Sequence, residues 1–238
     1  MSDDGKRRWK GPPKNEKGSS GRRMGERKII AYNAKDESSK RWIERQLSDP
    51  YVQKAKAEDY RARAAFKLIE IDEKTGVLKG ATRVVDLGSA PGGWLQVCLR
   101  RGVKEIVGID LLPVDPIPGA HLVQGDINEP DDVAAMMEGL SGPPDLVLSD
   151  MAANTTGHKQ TDSLRTAALA EMALWFAGEY LAPGGNFCSK VFQGGATPEM
   201  MNQMKQMFRS VKHVKPPASR AGSPELFVIA QGFRGKAG

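Results

Sequence analysis

Apolar residues in this chain alternate between short dense blocks and longer spaced runs. Arg83–Leu87, Glu105–Ile109, His121–Val123, Asp145–Leu148 and Asn186–Val191 are rich in Val, Ile and Leu at successive positions. Density of that kind suits strands buried on both faces. Between them lie Trp94–Arg101, Pro130–Met137 and Asp162–Leu181, whose apolar residues recur at helical spacing. Strand–helix alternation predicts a parallel sheet covered on both sides. A further helix is expected from Thr197, with Pro198 at its first position and Glu199 favourable to its dipole. Met200, Met201, Met204 and Met207 on that helix read as core filling. Val211–Val214 and Glu225–Ala230 then form a strand pair at the far edge, making seven strands in a mostly parallel sheet. The prediction is one doubly wound, Rossmann-like α/β domain.

Upstream of the first strand, Ser39–Leu47 reads as a short helix closed by Ser48-Asp49-Pro50. A second is expected over Glu58–Ile71, with Ala65, Phe66, Leu68, Ile69 and Ile71 supplying its apolar side. Arg63 and Lys67, four apart, would then share one face. Before about Ser38 the pattern disappears into Gly, Pro, Ser and Lys, a composition that forms no packed core. The chain therefore divides into an arm, 1–37, and a domain, 38–238.

Charge sharpens this division. Residues 1–30 hold ten of the 35 Lys/Arg and four of the 29 acids, leaving 25 of each sign in the remainder. The whole net charge of +6 thus sits in residues 1–30. A basic arm on a neutral body either seeks a polyanion or solubilises the chain. Two cysteines, Cys98 and Cys188, lie in apolar segments without metal-ligand spacing, which fits reduced, packed thiols and a cytoplasmic setting. No apolar stretch approaches the roughly 20 residues of a membrane span, and no metal is expected.

Candidate chemistry begins at the end of the first strand, where Asp86-Leu87-Gly88-Ser89-Ala90-Pro91-Gly92-Gly93-Trp94 forms a glycine-rich turn. In open α/β sheets such a turn lies at the carboxyl ends of the strands, where ligands bind. Gly88, Gly92 and Gly93 allow close backbone approach, and the next helix offers N–H donors. Asp110 follows the second strand, suited to ribose hydroxyls, and Asp126 follows the third, within reach of an adenine amino group. A dinucleotide would use part of this set. However, Ala90 replaces the middle glycine of G-x-G-x-x-G and crowds a pyrophosphate. Asp86, Asp110 and Asp126 better suit a cationic, phosphate-free nucleoside, which points to S-adenosyl-L-methionine and methyl transfer. Capping of turns is the ordinary alternative for Asp86 and Asp126.

The acceptor follows from which residues are present. Ser149-Asp150-Met151-Ala152 after the fourth strand lacks the Pro-Pro-aromatic loop that serves base nitrogens. Neither cysteine has the context of a C5-directed nucleophile. A weakly acidic hydroxyl remains, and a ribose 2′-hydroxyl needs a base. Lys190 at the end of the fifth strand is the candidate general base, with Lys67 and Glu225 as its electrostatic frame and Asp150 at the methyl-donor boundary. Lys67 would depress Lys190 by like-charge repulsion. Alone, each would read as an ordinary surface charge.

Val84–Trp94, Leu148–Ala152, Cys188–Phe192 and Ser219–Glu225, with Arg61–Leu68 upstream, resemble the FtsJ/RrmJ family of bacterial ribosomal RNA methyltransferases acting on the large subunit. The similarity spans about residue 40 to the C-terminus. It implies a class I S-adenosylmethionine-dependent methyltransferase fold and a catalytic tetrad at Lys67, Asp150, Lys190 and Glu225. It also implies donor contacts at Gly92, Trp94, Asp110, Asp126 and Asp150. The implied reaction is 2′-O-methylation of a uridine in the A-loop of 23S rRNA, on the 50S subunit, by a monomer. Related enzymes acting on tRNA or cap structures share the tetrad, so those substrates stay open. A non-catalytic assembly factor would be marked by a broken tetrad or donor loop, and both are intact. A dehydrogenase is disfavoured by Ala90.

Overall fold

The computed structural model describes residues 48–153, 156–194 and 197–235. The expected arm, 1–37, and the helix over 39–47 lie outside the described residues. Within them, the elements are α1 (Pro50–Ala57), α2 (Ala65–Thr75), β1 (Arg83–Leu87), α3 (Gly93–Arg100), β2 (Glu105–Asp110), β3 (Ala120–Gln124) and α4 (Pro130–Met137). They continue with β4 (Leu146–Ser149), α5 (Lys159–Tyr180), β5 (Asn186–Phe192), α6 (Pro198–Met207), β6 (Phe208–Val214) and β7 (Glu225–Phe233). The seven strands form one sheet in the order β3-β2-β1-β4-β5-β7-β6. All pairs from β3 to β5 are parallel, while β7 is antiparallel to both its neighbours.

Side chains alternate across the sheet, and the alternation sorts them into two cores. Val85, Leu87, Val107, Val147, Phe187 and Val191 pack under α4, α5 and α6 with Met136, Phe176, Met200 and Met204. Val84, Ile106, Leu146, Leu148, Cys188, Phe227 and Ile229 face α2 and α3, meeting Leu68, Ile71, Trp94 and Leu95. The methionines of α6 do fill core: Met200 and Met204 are buried, and Met201 and Met207 pack against the same cluster. Both cysteines are free and buried.

Two expected features differ in the structure. Ser48-Asp49-Pro50 starts a helix: Asp49 caps α1 by accepting from the Tyr51 N–H at 3.0 Å, and Pro50 sits in its first turn. Predicted helix Glu58–Ile71 is instead a turn followed by α2, which runs on to Thr75 and ends at left-handed Gly76. Asp59 takes a left-handed backbone, with φ 58°. Arg61 is pulled outward to the carbonyls of Pro91, Asp115 and Pro116. Arg63 therefore precedes α2 and shares no helical face with Lys67; it pairs with Asp49 at 2.6 Å.

Candidate active site

Strand order reverses between β1 and β4, and the residues just beyond those two strands are Gly88 and Asp150. A cleft of about 350 Å³ opens there, lined by Gly88, Ala90, Asp110, Asp126, Asp150 and Met151 among others. Crevices at such switch points are where open α/β sheets take ligands. Asp110 accepts from the Ala90 N–H at 2.9 Å and the Leu112 N–H at 2.8 Å, tying the glycine turn to the loop after β2. Asp126 accepts from the backbone and side-chain nitrogens of Asn128 through one oxygen. It thus caps a turn, as its ordinary reading held, and also lines the cleft.

The other expected donor contacts lie elsewhere. Trp94 is buried against Phe227, and its Nε1–H donates to the Ala64 carbonyl at 2.8 Å. A Cβ at Gly93 would lie 3.4 Å from the Ala65 nitrogen and 3.5 Å from the Ala62 carbonyl oxygen. A Cβ at Gly92, where φ is +106°, would stand 2.6 Å from Ile117 Cδ1. These residues fix where α3 begins, and Gly92 has no side-chain cap, so main-chain N–H groups are what they offer a ligand. Asp86 shares the sheet face of Val84, toward α3, with both carboxylate oxygens buried and without hydrogen-bond partners. Burial, then the carboxylates of Asp150 and Asp110, push its carboxyl well above the usual range.

At Gly88 the geometry leaves no room for a side chain. Its φ is +77°, and a Cβ would lie 2.6 Å from Met151 Cγ and 3.0 Å from Met151 Cα. Gly88→Ala is expected to cost about 1–3 kcal/mol from backbone strain alone. Displacement of Met151 should then weaken ligand binding in the cleft. Thermal melts with titration calorimetry against S-adenosylhomocysteine check both effects, and unchanged affinity would show that the position of Met151 does not affect binding.

Beside the cleft the four predicted tetrad residues come together. Asp150 follows β4, whose Ser149 is in register with Ser189 of β5, so Lys190 is the next residue along that neighbour. Lys190 shares a face with Cys188, and Glu225 shares one with Phe227 and Ile229; this is the face that α2 covers. Because β7 runs antiparallel, its first residue, Glu225, lies opposite Phe192 at the carboxyl end of β5. Lys67, on α2, reaches the same spot. Lys190 Nζ is 2.6 Å from Asp150 Oδ1 and donates to the Asp150 carbonyl at 2.8 Å. Lys67 Nζ lies 2.8 Å from Glu225 Oε2 and 3.5 Å from Asp150 Oδ2. Asp150 thus bridges two ammonium groups.

Electrostatics distinguish the members. Burial pulls Lys67 toward neutrality, but Asp150 and Glu225 outweigh it and hold the ammonium above the ordinary lysine range. Burial likewise raises Asp150, yet Lys190 and Lys67 together keep its carboxyl below the usual value. Both therefore stay charged near neutral pH. Ser219 was not anticipated: its hydroxyl donates to Glu225 Oε1 at 2.7 Å and holds that carboxylate while Oε2 serves Lys67. It stands six residues before Glu225 in an irregular stretch, where no periodicity could single it out.

A 68% identical relative from Hyphomonas neptunium, named ribosomal RNA large subunit methyltransferase E, aligns over 234 residues, covering 98% of this chain and all of its own. A relative of the same name from Novosphingobium aromaticivorans is 60% identical over 200 residues, 84% of this chain and 90% of its own. A Plasmodium falciparum crystal structure described as a ribosomal RNA methyltransferase superposes with TM-score 0.67 at 34% identity. It covers 74% of this chain and all of that one. A model of the FtsJ-like methyltransferase family matches residues 60–233, a span that runs from the turn before α2 through β7, and the chain belongs to that family.

Proposed function

We propose that this protein transfers a methyl group from S-adenosylmethionine to a ribose 2′-hydroxyl of large-subunit ribosomal RNA, on a uridine of the A-loop. The observation that supports this most is the bridging of Lys190 and Lys67 by Asp150, a residue that also lines the cleft. The acceptor class is supported by the lack of a Pro-Pro-aromatic loop after Asp150 and of a nucleophilic cysteine context, and the RNA class by the names of the relatives.

The cleft fits the donor by its chemistry. Asp110, Asp126 and Asp150 put three carboxylates along it, which suits hydroxyls, an amine and positive charge and repels phosphate. S-adenosylmethionine, when bound, supplies an electrophilic methyl on a sulfonium. Asp110 and Asp126 would hold the nucleoside part, Gly88 and the start of α3 would let main chain approach, and Asp150 would face the positive sulfur. Lys190 is the general base. It must be neutral when it takes the 2′-hydroxyl proton and becomes the ammonium; the donor would leave as its neutral thioether, and Lys190 then releases the proton to solvent before the next turnover. Lys67, held in its charged form by Asp150 and Glu225, stabilises the oxygen as negative charge develops. Positioning the hydroxyl in line with the methyl contributes much of the rate.

Purified protein incubated with tritiated methyl donor should label 50S subunits well above tRNA and protein-free rRNA. Preferential labelling of tRNA, or of no RNA, would overturn the substrate assignment.

A further inference from the structure

A second depression, of about 280 Å³, shares the tetrad with the cofactor cleft: Lys67 and Glu225 line it, while Asp150 lines the cleft. Its other walls include Arg63, Arg220 and Ser223. Two guanidinium groups therefore stand beside the place where an acceptor ribose must sit. Both point at one carboxylate. Asp49 Oδ2 lies 2.6 Å from Arg63 Nη1 and 3.5 Å from Arg220 Nη2, while Asp49 Oδ1 caps α1.

The two arginines are held differently. Arg63 also donates to the Ala218 carbonyl, lies over the Tyr51 ring at 5.6 Å, and has its Nε buried without a hydrogen-bond partner. Arg220 is nearly half exposed, its side chain 45% accessible, and a single long contact of that kind contributes little. One monodentate carboxylate oxygen leaves most of ten guanidinium N–H donors unused or solvated. A phosphodiester offers two non-bridging oxygens that share one negative charge, in the geometry that guanidinium groups recognise. The loop bearing Arg220 is tied to α1 and α2 through Glu70, which accepts from the Ala218 N–H at 2.6 Å and from the Tyr51 hydroxyl at 2.7 Å. The pair is thus built on a braced frame.

We propose that Arg63 and Arg220 form the subsite for an RNA backbone phosphate next to the acceptor ribose, and that Asp49 occupies it as an internal anion until RNA displaces it from Arg220. This subsite rests on the ribose-methylation reading, but its test needs no methyl transfer. Asp49 slows non-productive anion capture by Arg220, and it sets a competition that RNA must win.

Binding of a short fluorescent single-stranded RNA, followed by anisotropy across a salt series, tests it with Arg220→Ala and Asp49→Asn. Asparagine keeps one oxygen for the helix cap and replaces the charged Oδ2 that faces both arginines with an amide NH2, which binds neither guanidinium. Arg220→Ala should weaken binding several-fold and flatten the slope of log K against log salt by about 0.7, the loss of one phosphate contact on a single strand. Asp49→Asn should tighten binding several-fold, and with 50S subunits should lower KM while leaving kcat within about twofold. Unchanged affinity and slope in Arg220→Ala, or affinity in Asp49→Asn that is equal to or weaker than wild type, overturns the proposal. If the RNA binds as expected but no ribose is methylated, the proposed activity fails and the phosphate subsite stands.

Discussion

Lys190→Ala is expected to lower kcat by about 10²–10⁴, the usual worth of a positioned general base, while affinity for the methyl donor changes little. The nitrogen lost is the one nearest Asp150, 2.6 Å away, and the side chain is only 7% exposed, so water does not readily replace it. Lys190→Arg separates the two roles the ammonium could have. Arginine preserves charge beside Asp150 and cannot give up its proton, so it should be as inactive as alanine if Lys190 is the base. An active Lys190→Arg would reduce Lys190 to an electrostatic group. Single-turnover rates with saturating donor and RNA give the comparison directly.

Asp150→Ala has the second large effect, on stability as well as rate. It removes the carboxylate between two largely buried ammonium groups and leaves them Glu225, 2.8 Å from Lys67 and 4.0 Å from Lys190; breaking a buried pair from one side costs about 3–5 kcal/mol, or on the order of 10 °C in Tm for a chain of this size. The pH dependence has a definite sign. Asp150 has a folded pKa below its unfolded value, so its contribution is present above about pH 4 and is lost as pH falls through the lower folded value. The gap in Tm between wild type and Asp150→Ala should therefore be constant from pH 5 to 8 and shrink in acid. Lys67 is the opposite case: its folded pKa is raised, so its contribution holds up to about pH 10.4 and disappears as pH rises beyond it. A gap that widened in acid would show that Asp150 is not held charged by its neighbours.

Dense Val/Ile/Leu blocks placed β1, β2 and β5 within a residue of their observed limits, because a strand buried on both faces has little freedom in composition. The Gly88 turn and the acids after β2 and β3 were legible for a related reason: the topology of an open parallel sheet assigns a ligand to those ends before any coordinate is known. The segment from Asp49 to Ala64 was not. Pro50 signals a helix end and a helix start equally well, and the turn at Asp59 depends on Arg61 reaching carbonyls some 30 and 55 residues away in sequence. Local spacing holds no trace of such contacts. The same limit hid Ser219 and the Asp49–Arg63–Arg220 cluster, whose members are distant in the chain and meet only through tertiary packing. Trp94 shows a converse limit. Its position in a recognisable motif pointed to the ligand, whereas the ring itself is committed to Ala64 and Phe227.

The central claim is that the tetrad removes a proton from a sugar hydroxyl. It is tested most directly by digesting enzymatically methylated 50S rRNA to nucleosides and locating the new methyl by mass spectrometry. Wild type should form 2′-O-methyluridine as the single labelled product, and Lys190→Ala should form none. Label on a nucleobase, or ribose methylation that persists at the wild-type rate in Lys190→Ala, would contradict it.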